Sequence, residues 1–229
     1  MWGCGMQVLF DPGLFWNNRA VIVSGAEVAL ALGAVSVAVS LAFGLVGWLL
    51  KASKMRAFSW LGNAYVESMR NTPTLLYLYL IYFGLTEVGV TFSPFVSAVL
   101  ALGVQGGAYM TEIIRGAFNA VSEDQRQAAR ALGLRPWKSL VYVELPQMLR
   151  VAFPALGNQV VSLVLGTSLA SVIAVPELTY QSQIIGETTY RYFSVFAVLA
   201  VFYVLIVQVL NSLWRAIERC WFGRWGVTV

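Results

Sequence analysis

Five long apolar stretches are the feature that most limits what this chain can fold into. The hydrocarbon core of a bilayer is about 30 Å thick, and a helix needs about 20 predominantly apolar residues to cross it. Only 11% of the residues are charged and the mean hydropathy is +0.71, a composition typical of membrane proteins. The sequence therefore predicts an all-α membrane protein with about five transmembrane helices. The predicted spans are Ser24–Leu50, Ser59–Leu85, Ser93–Ala117, Phe153–Val175 and Phe193–Ile217.

The sequence gives no sign of a second domain or of a catalytic centre. It contains no internal repeat or inter-domain linker, so we expect residues 1–229 to form a single transmembrane domain. With no histidine and no closely spaced cysteines, no metal site is expected. Neither a nucleotide-binding glycine loop nor a nucleophile elbow is present. We therefore expect that the chain is not an enzyme and holds no cofactor of its own.

The basic residues predict how the chain is oriented. They are concentrated in connections 50–59 and 117–153 and in the tail from residue 215, whereas the opposite side carries only Arg19 and Arg191. Cytoplasmic loops carry such an excess of lysine and arginine. We therefore expect the N-terminus outside, the C-terminus inside, and the loop from about 119 to 149 in the cytoplasm. This bias also explains the net charge of +4 without a nucleic-acid partner.

The cytoplasmic loop contains the signals of a well-delimited helix. Ser122 can cap its first N–H groups, and an acidic first turn suits the positive end of the helix dipole. Gly133 can end the helix in a left-handed turn, and Pro136 suits the first turn of a second short helix. Small side chains on the first helix would let another surface come close. These are Ala128, Ala129 and Ala131.

A stripe of small and polar residues follows span four at steps of four positions. Such a stripe either holds neighbouring membrane helices together or lines a polar pathway beside a second subunit, and the residues alone leave both interpretations open. The candidate pathway residues are Asn158, Gln159, Ser162 and Gly166, with Thr167 and Ser168 continuing the polarity.

Two pairs of charged residues lie three positions apart inside the spans, where they can pair on one helix face. Glu67 and Arg70 belong to span two, and Glu112 and Arg115 to span three. For Arg70, snorkelling or pairing with Glu67 competes with a role in a gate or pathway. For Glu112 and Arg115, a structural clamp is favoured over a substrate contact. We expect Pro73 to bend span two.

The cytoplasmic loop also carries a spaced motif, E-A-A-x3-G-x9-I-x-L-P, with glutamine in the first position and valine in place of isoleucine. The matching residues are Gln127, Ala128, Ala129, Gly133, Val143, Leu145 and Pro146. This motif resembles the signature of membrane subunits of ABC importers. The resemblance covers nearly all of Leu30–Trp221 and points to the histidine/glutamine/glutamate/arginine branch. It includes Met69–Leu85, Ala108–Val121 and Ser168–Ile185.

The resemblance implies a type I importer permease of the bacterial inner membrane. Its cytoplasmic helix would insert into a groove on an ATPase subunit and transmit the opening and closing of that subunit to the spans. The resemblance also implies a second permease subunit, two ATPase subunits that use ATP and Mg, and an extracytoplasmic binding protein. The substrate would be a polar or charged amino acid or a related compound. The expected coupling residues are Gln127, Ala128, Ala129, Arg130, Leu132 and Gly133.

One departure from the branch lies in span four. The branch commonly has Lys-Asp/Asn-Thr-Ser-Leu at 165–169, whereas this chain has Leu-Gly-Thr-Ser-Leu. If the charged pair of the branch handles the zwitterionic substrate or its gate, its absence favours a heterodimer, in which a non-identical permease takes over that role, over a homodimer. The alternative is that the site is simply less charged. Two other function classes remain open. They are a secondary transporter driven by an ion gradient, which usually shows an inverted repeat, and a membrane scaffold that transports nothing.

Overall fold

The computed structural model describes residues 12–222, and all regular structure in that part of the chain is helical. Two of the helices contain a π-helical turn, at Leu80–Gly84 and at Leu140–Glu144, and the second of them ends in a 3₁₀ segment, Thr167–Ile173. The helices are α1 Pro12–Asn17, α2 Arg19–Lys51, α3 Arg56–Arg70, α4 Thr74–Glu87, α5 Pro94–Ala120, α6 Glu123–Ala131, α7 Pro136–Ile173, α8 Leu178–Thr189 and α9 Tyr192–Phe222.

Three of these helices, α2, α7 and α9, are long and apolar enough to cross a membrane. They correspond to predicted spans one, four and five. Predicted span three is α5, which is also long, with 27 residues, but more polar. The reason is its position, since α2, α3, α4 and α7 all pack against it. A helix surrounded by protein does not need an apolar surface on every side.

Span two is broken, which corrects the expectation of one bent helix. Helix α3 ends at Arg70, and α4 begins only at Thr74. Pro73 has no backbone N–H to donate, and its ring disfavours a helical conformation in Thr72. The backbone hydrogen bonds of the helix are therefore interrupted, and the helix ends where only a bend was expected.

Gln105 of α5 satisfies the backbone groups that this break leaves free. Its Nε2 donates to the carbonyl oxygens of Met69 at 3.2 Å and Thr72 at 2.9 Å. Its Oε1 accepts a hydrogen bond from Thr74 Oγ1 at 2.5 Å. Non-helical backbone is tolerated at membrane depth only where protein groups or water satisfy it. One buried amide thus makes the break possible.

The second helix of the cytoplasmic loop is not the separate short helix that the sequence predicts. Pro136 does begin it, but α7 continues through the π-helical turn to Ile173 without interruption. The base of the loop and span four are therefore one continuous helix.

The closest helix pair is α2 with α5. A Cβ added to Gly107 would lie 2.5 Å from the Cβ of Phe43, so only glycine allows this approach of the two backbones. Nearby, Ser40 Oγ donates to the carbonyl oxygen of Gly103 at 3.1 Å. Small residues and hydroxyl hydrogen bonds are the usual means by which membrane helices associate. Helices α3 and α7 both pack against this pair.

The connection between spans four and five contains α8, a helix that the sequence analysis missed. Glu177 caps it, because its fully buried carboxylate accepts hydrogen bonds from the N–H groups of Thr179 and Tyr180, both at 2.8 Å. Tyr203 of α9 donates a further hydrogen bond to Glu177 at 3.1 Å. Helix α8 is therefore fixed to α9, and an apolar cluster holds both to α2.

Candidate functional site

Helix α6 begins and ends where the sequence predicts. Ser122 Oγ accepts a hydrogen bond from the N–H of Gln125 at 3.4 Å, as an N-cap does. Gly133 has φ +76°, and the N–H groups of Gly133 and Leu134 donate back to carbonyl groups of the last turn at 2.9 and 3.1 Å. This is a Schellman motif, which requires a residue that tolerates the left-handed region. The turn fixes the direction in which the chain leaves α6.

The expected coupling residues divide between two faces of α6. Ala129 is 3% exposed, so it packs against the rest of this chain. It does not lie on an outer docking surface, contrary to the expectation from the sequence. Successive residues of an α-helix point about 100° apart, and therefore its neighbour Ala128 faces outward. Leu132 is also well exposed, at 82%. The other exposed residues are Gln127, Arg130, Ala131 and Gly133.

Arg126 joins the inner face of α6 to α5 and α7. Its Nε lies 3.2 Å from Glu144 Oε2, and its guanidinium lies 4.3 Å from the ring centroid of Phe118 and donates to the Phe118 carbonyl. Ser139 Oγ donates to the other carboxylate oxygen of Glu144 at 3.0 Å. The Arg126 and Glu144 side chains are 16% and 10% exposed, so their charges are largely withdrawn from water and satisfied by each other.

In the sequence, Arg126 is one of the basic residues of connection 117–153 that indicate the orientation, and nothing there predicts this ion pair. Its partner lies 18 positions away, beyond the reach of any helical periodicity. A weak signal was available in Glu144, a lone acidic residue in the apolar run Val141–Leu145. A carboxylate in such surroundings needs a cationic partner, but the sequence does not say which one.

A polar cavity of about 280 Å³ lies between α4, α5 and α7. It brings three members of the predicted stripe, Gln159, Ser162 and Gly166, together with Gln105, the residue that holds the break in span two. Amide and hydroxyl groups in the interior of a helix bundle can hydrogen-bond a polar solute. The complete lining consists of Thr74, Leu102, Gln105, Gly106, Tyr109, Gln159, Ser162, Leu163 and Gly166.

The other three members of the stripe lie elsewhere, so the expectation of one continuous polar face was wrong. Asn158 lines a second cavity, next to Gln208 and Asn211 of α9. Neighbouring residues of an α-helix point about 100° apart, and residues four positions apart still differ by about 40°. The stripe therefore does not keep to one face.

Thr167 and Ser168 use their hydroxyl groups locally. Thr167 Oγ1 donates to the carbonyl of Val164 and Ser168 Oγ to that of Leu165, both at 2.7 Å. Both residues lie in the 3₁₀ segment, where the angle between successive side chains differs from that of an α-helix. They therefore do not extend the cavity lining.

Glu112 and Arg115 form the predicted pair, with Arg115 Nη2 at 2.6 Å from Glu112 Oε2. Lys51, the last residue of α2, lies with its Nζ 2.6 Å from Glu112 Oε1. The acid therefore joins the end of α2 to α5. This geometry is that of the structural clamp between helices that the sequence favours.

Arg70 does not pair with Glu67. In the described part of the chain, neither residue takes part in an ion pair. Instead, the guanidinium carbon of Arg70 lies 5.3 Å from the centroid of the Tyr109 ring. Tyr109 belongs to α5 and lines the polar cavity. The fold thus places Arg70 beside the cavity, whereas its spacing in the sequence predicts a pair with Glu67 on its own helix.

The chain matches a known family over residues 28–221, the family of binding-protein-dependent transport system inner membrane components. The chain belongs to this family. A relative within it, the glutamine transport system permease protein GlnP of Escherichia coli (strain K12), is 35% identical over 217 residues, which cover 92% of this chain and 97% of the relative. The arginine transport system permease protein ArtQ of Bacillus subtilis (strain 168) is 32% identical over 199 residues, covering 86% and 91%.

Solved structures of transporters place this inner membrane component among type I ABC importer permeases. A chain in the crystal structure of an amino acid ABC transporter with histidines superposes with a TM-score of 0.84 at 33% identity, covering 90% of this chain and 96% of that one. A chain of the inward-facing MetNI methionine ABC transporter gives a TM-score of 0.74 at 22% identity, covering 90% and 98%, and shares the fold. The predicted fold class is therefore confirmed.

Proposed function

We propose that this permease imports a polar or charged amino acid, or a related compound, across the bacterial inner membrane, with its N-terminus outside and its C-terminus inside. One observation carries the proposal. Arg126 ties α6 to α5 and α7, and these two helices form walls of the polar cavity. A displacement of α6 would therefore change the shape of the cavity. The names of the glutamine and arginine relatives support the substrate class.

The outer face of α6 is the proposed docking surface for an ATPase subunit. Ala128 and Ala131 are small and exposed, which allows a groove to close around the helix, and Leu132 offers an apolar side chain. ATP and Mg would bind in the ATPase. That subunit must bind α6 with different affinity in its two states, because equal affinity would shift no conformational equilibrium.

The complete importer would contain a second permease subunit, two ATPase subunits and an extracytoplasmic amino-acid-binding protein. A heterodimer of permeases is favoured, because Leu165 and Gly166 replace the charged pair common in this branch. Leu165 is 41% exposed in the single chain, which leaves this side of α7 open to a partner.

The cavity between α4, α5 and α7 is the proposed path of the substrate. Its volume of about 280 Å³ is close to the lower limit of typical ligand pockets. Its hydrogen-bonding groups lie in the side chains of Thr74, Gln105, Gln159 and Ser162. These groups can replace part of the hydration shell of an amino acid as it leaves water.

Reconstitution in vesicles tests this function against the two alternatives. We expect uptake of glutamine or arginine to require the ATPase, ATP and the binding protein. Uptake driven by an ion gradient without the ATPase would indicate a secondary transporter, and no uptake under any condition would indicate a scaffold. Ser162→Leu should reduce uptake about tenfold by filling the cavity while the complex still assembles. Ser212→Leu, the same change on the exposed side of α9, serves as the control.

A further inference from the structure

Arg70 is a charged residue without an anionic partner in the described part of the chain. It ends α3 at the point where span two is broken, and Glu67, one turn earlier, is exposed and does not reach it. Charged residues in membrane spans are costly and usually face a functional cavity or a partner. The guanidinium offers five N–H donors in a planar fork that matches a carboxylate.

The ring of Tyr109 lies beside this guanidinium and also lines the cavity. The distance of 5.3 Å from the Arg70 guanidinium carbon to the ring centroid is within the range of a cation–π interaction. The ring is 36% exposed and is itself part of the cavity lining, so it holds the guanidinium at the rim. Stacking on a ring leaves the N–H groups at the edge of the guanidinium free to bind an anion.

The lining itself provides no charge. Every residue that the structure places around this cavity is apolar or a neutral amide, hydroxyl or phenol. An amino acid that enters the cavity carries a carboxylate, and a carboxylate withdrawn from water needs a cation or several N–H donors. The guanidinium that meets this need lies on the ring of a lining residue.

We propose that Arg70, oriented by Tyr109, is the subsite that binds the carboxylate of an amino acid in this cavity. This inference rests on the proposed function. The amide of Gln159 and the hydroxyl of Ser162 then line the part of the cavity that would receive the remaining polar groups of the substrate. The subsite also supplies a charge to this subunit although Leu165 and Gly166 have replaced the charged pair of the branch.

Binding to the purified permease–ATPase complex in lipid nanodiscs, without the binding protein, tests the subsite directly. The binding protein is omitted because it recognises the amino acid itself. The probes are radiolabelled L-glutamine and L-arginine, each compared with its C-terminal amide, which lacks the carboxylate. We expect the wild type to bind the acid better than the amide. Arg70→Gln should weaken binding of the acid about tenfold or more, because a charge-assisted bidentate contact is lost, and leave the amide nearly unchanged.

Three further variants separate a binding role from a structural one. Arg70→Lys should keep part of the preference for the acid, because it retains the charge without the planar fork. Tyr109→Leu should weaken the acid more than the amide, because the guanidinium loses its orientation. Glu67→Gln, on the same helix and exposed, should change neither. If Arg70→Gln prevents assembly, the acid and amide binding of Arg70→Lys and Tyr109→Leu tests the subsite instead.

Two outcomes overturn the inference while leaving the proposed function intact. One is an equal loss of acid and amide binding in the Arg70 or Tyr109 variants, which indicates a packing or snorkelling role. The other is a wild-type complex that imports the amino acid but shows no preference for the acid over the amide. Failure of the proposed function is separate, because it appears as absence of ATP-dependent uptake by the wild type.

Discussion

At the scale of single residues, Gln105 and Arg70 have their partners far away in the sequence. Gln105 closes the break in span two with three hydrogen bonds to α3, α4 and the residues between them. Arg70 contacts the ring of Tyr109 and does not pair with Glu67. In both cases the partner lies on another helix. A polar group in a membrane domain is therefore placed by the bundle, and its position in the sequence states only that it needs a partner.

Gln105→Leu should destabilise the permease strongly. The substitution leaves the carbonyl groups of Met69 and Thr72 without their donor, and an unsatisfied buried group costs about 1–3 kcal/mol. We expect the apparent melting temperature of the detergent-solubilised complex to fall by several degrees. Gln159→Leu, in the same cavity, is the control and should lower uptake with little change in melting temperature. Equal melting temperatures for the two variants would show that Gln105 does not hold the break.

At the scale of helices, the important feature is the junction of α6 with α5 and α7. Helix α6 has one face packed on its own chain and one face open, and α7 runs from the base of the cytoplasmic loop through span four. Arg126 and Glu144 join the two helices with side chains that are 16% and 10% exposed. In the proposed function, this junction would transmit a displacement of α6 to the walls of the cavity.

The two faces of α6 should respond differently to the same substitution. Ala128→Trp adds bulk to the exposed face, so we expect loss of the ATPase subunit in pull-down assays while the permease remains folded. Ala129→Trp adds bulk where the side chain is 3% exposed and should destabilise the permease itself, by about 1–3 kcal/mol or more. Pull-down and thermal unfolding of both variants check this. Loss of ATPase binding by Ala129→Trp at unchanged stability would place the docking surface on the inner face.

Reversing the charge of one partner at the junction should uncouple ATP hydrolysis from transport. Arg126→Glu places two carboxylates together in a site largely withdrawn from water, at a cost of about 2–4 kcal/mol. We expect more ATP hydrolysed per substrate imported, and partial recovery when Glu144→Arg is added.

The matched control for the junction is Arg56→Glu, the same charge reversal at an exposed arginine of α3, outside α6 and its junction. We expect this variant to leave the coupling of ATP hydrolysis to transport unchanged. A double variant of Arg126 and Glu144 that recovers no coupling would show that the ion pair is not the mechanical link.

At the scale of the whole molecule, many large apolar side chains face outward on the long helices, while the interior combines an apolar core with buried polar groups. Leu45 on α2 and Val204 on α9, for example, have at least half of their surface exposed. The most apolar stretch of α9 is 17% buried, against 33% in α2 and 39% in α7. Helix α9 therefore has the largest share of its surface available to lipid or to a second subunit.

The orientation of the molecule is testable through Cys220, which is exposed near the end of α9. The predicted topology places it in the cytoplasm. In a Cys4→Ser background, which removes the other cysteine of the chain, a membrane-impermeant maleimide should label Cys220 in inverted vesicles and not in right-side-out vesicles. Labelling confined to right-side-out vesicles would reverse the topology.

Features that depend on local composition and spacing could be predicted from the amino-acid sequence. Apolar length identified three helices that can cross a membrane, and capping residues gave the limits of α6. The spaced motif around Gly133 indicated the family. These features were predictable because a helix end, a turn or a span is specified by residues within a few positions of one another.

Which of the candidate residues contact one another depends on the tertiary structure. It turned Ala129 inward, brought Gln159 and Ser162 to a cavity that excludes Asn158, and paired Arg126 with a carboxylate 18 positions away. The physical reason is that a buried polar group must be satisfied, but any suitable group on a neighbouring helix can satisfy it. The sequence shows the need, and the packing of the helices selects the partner.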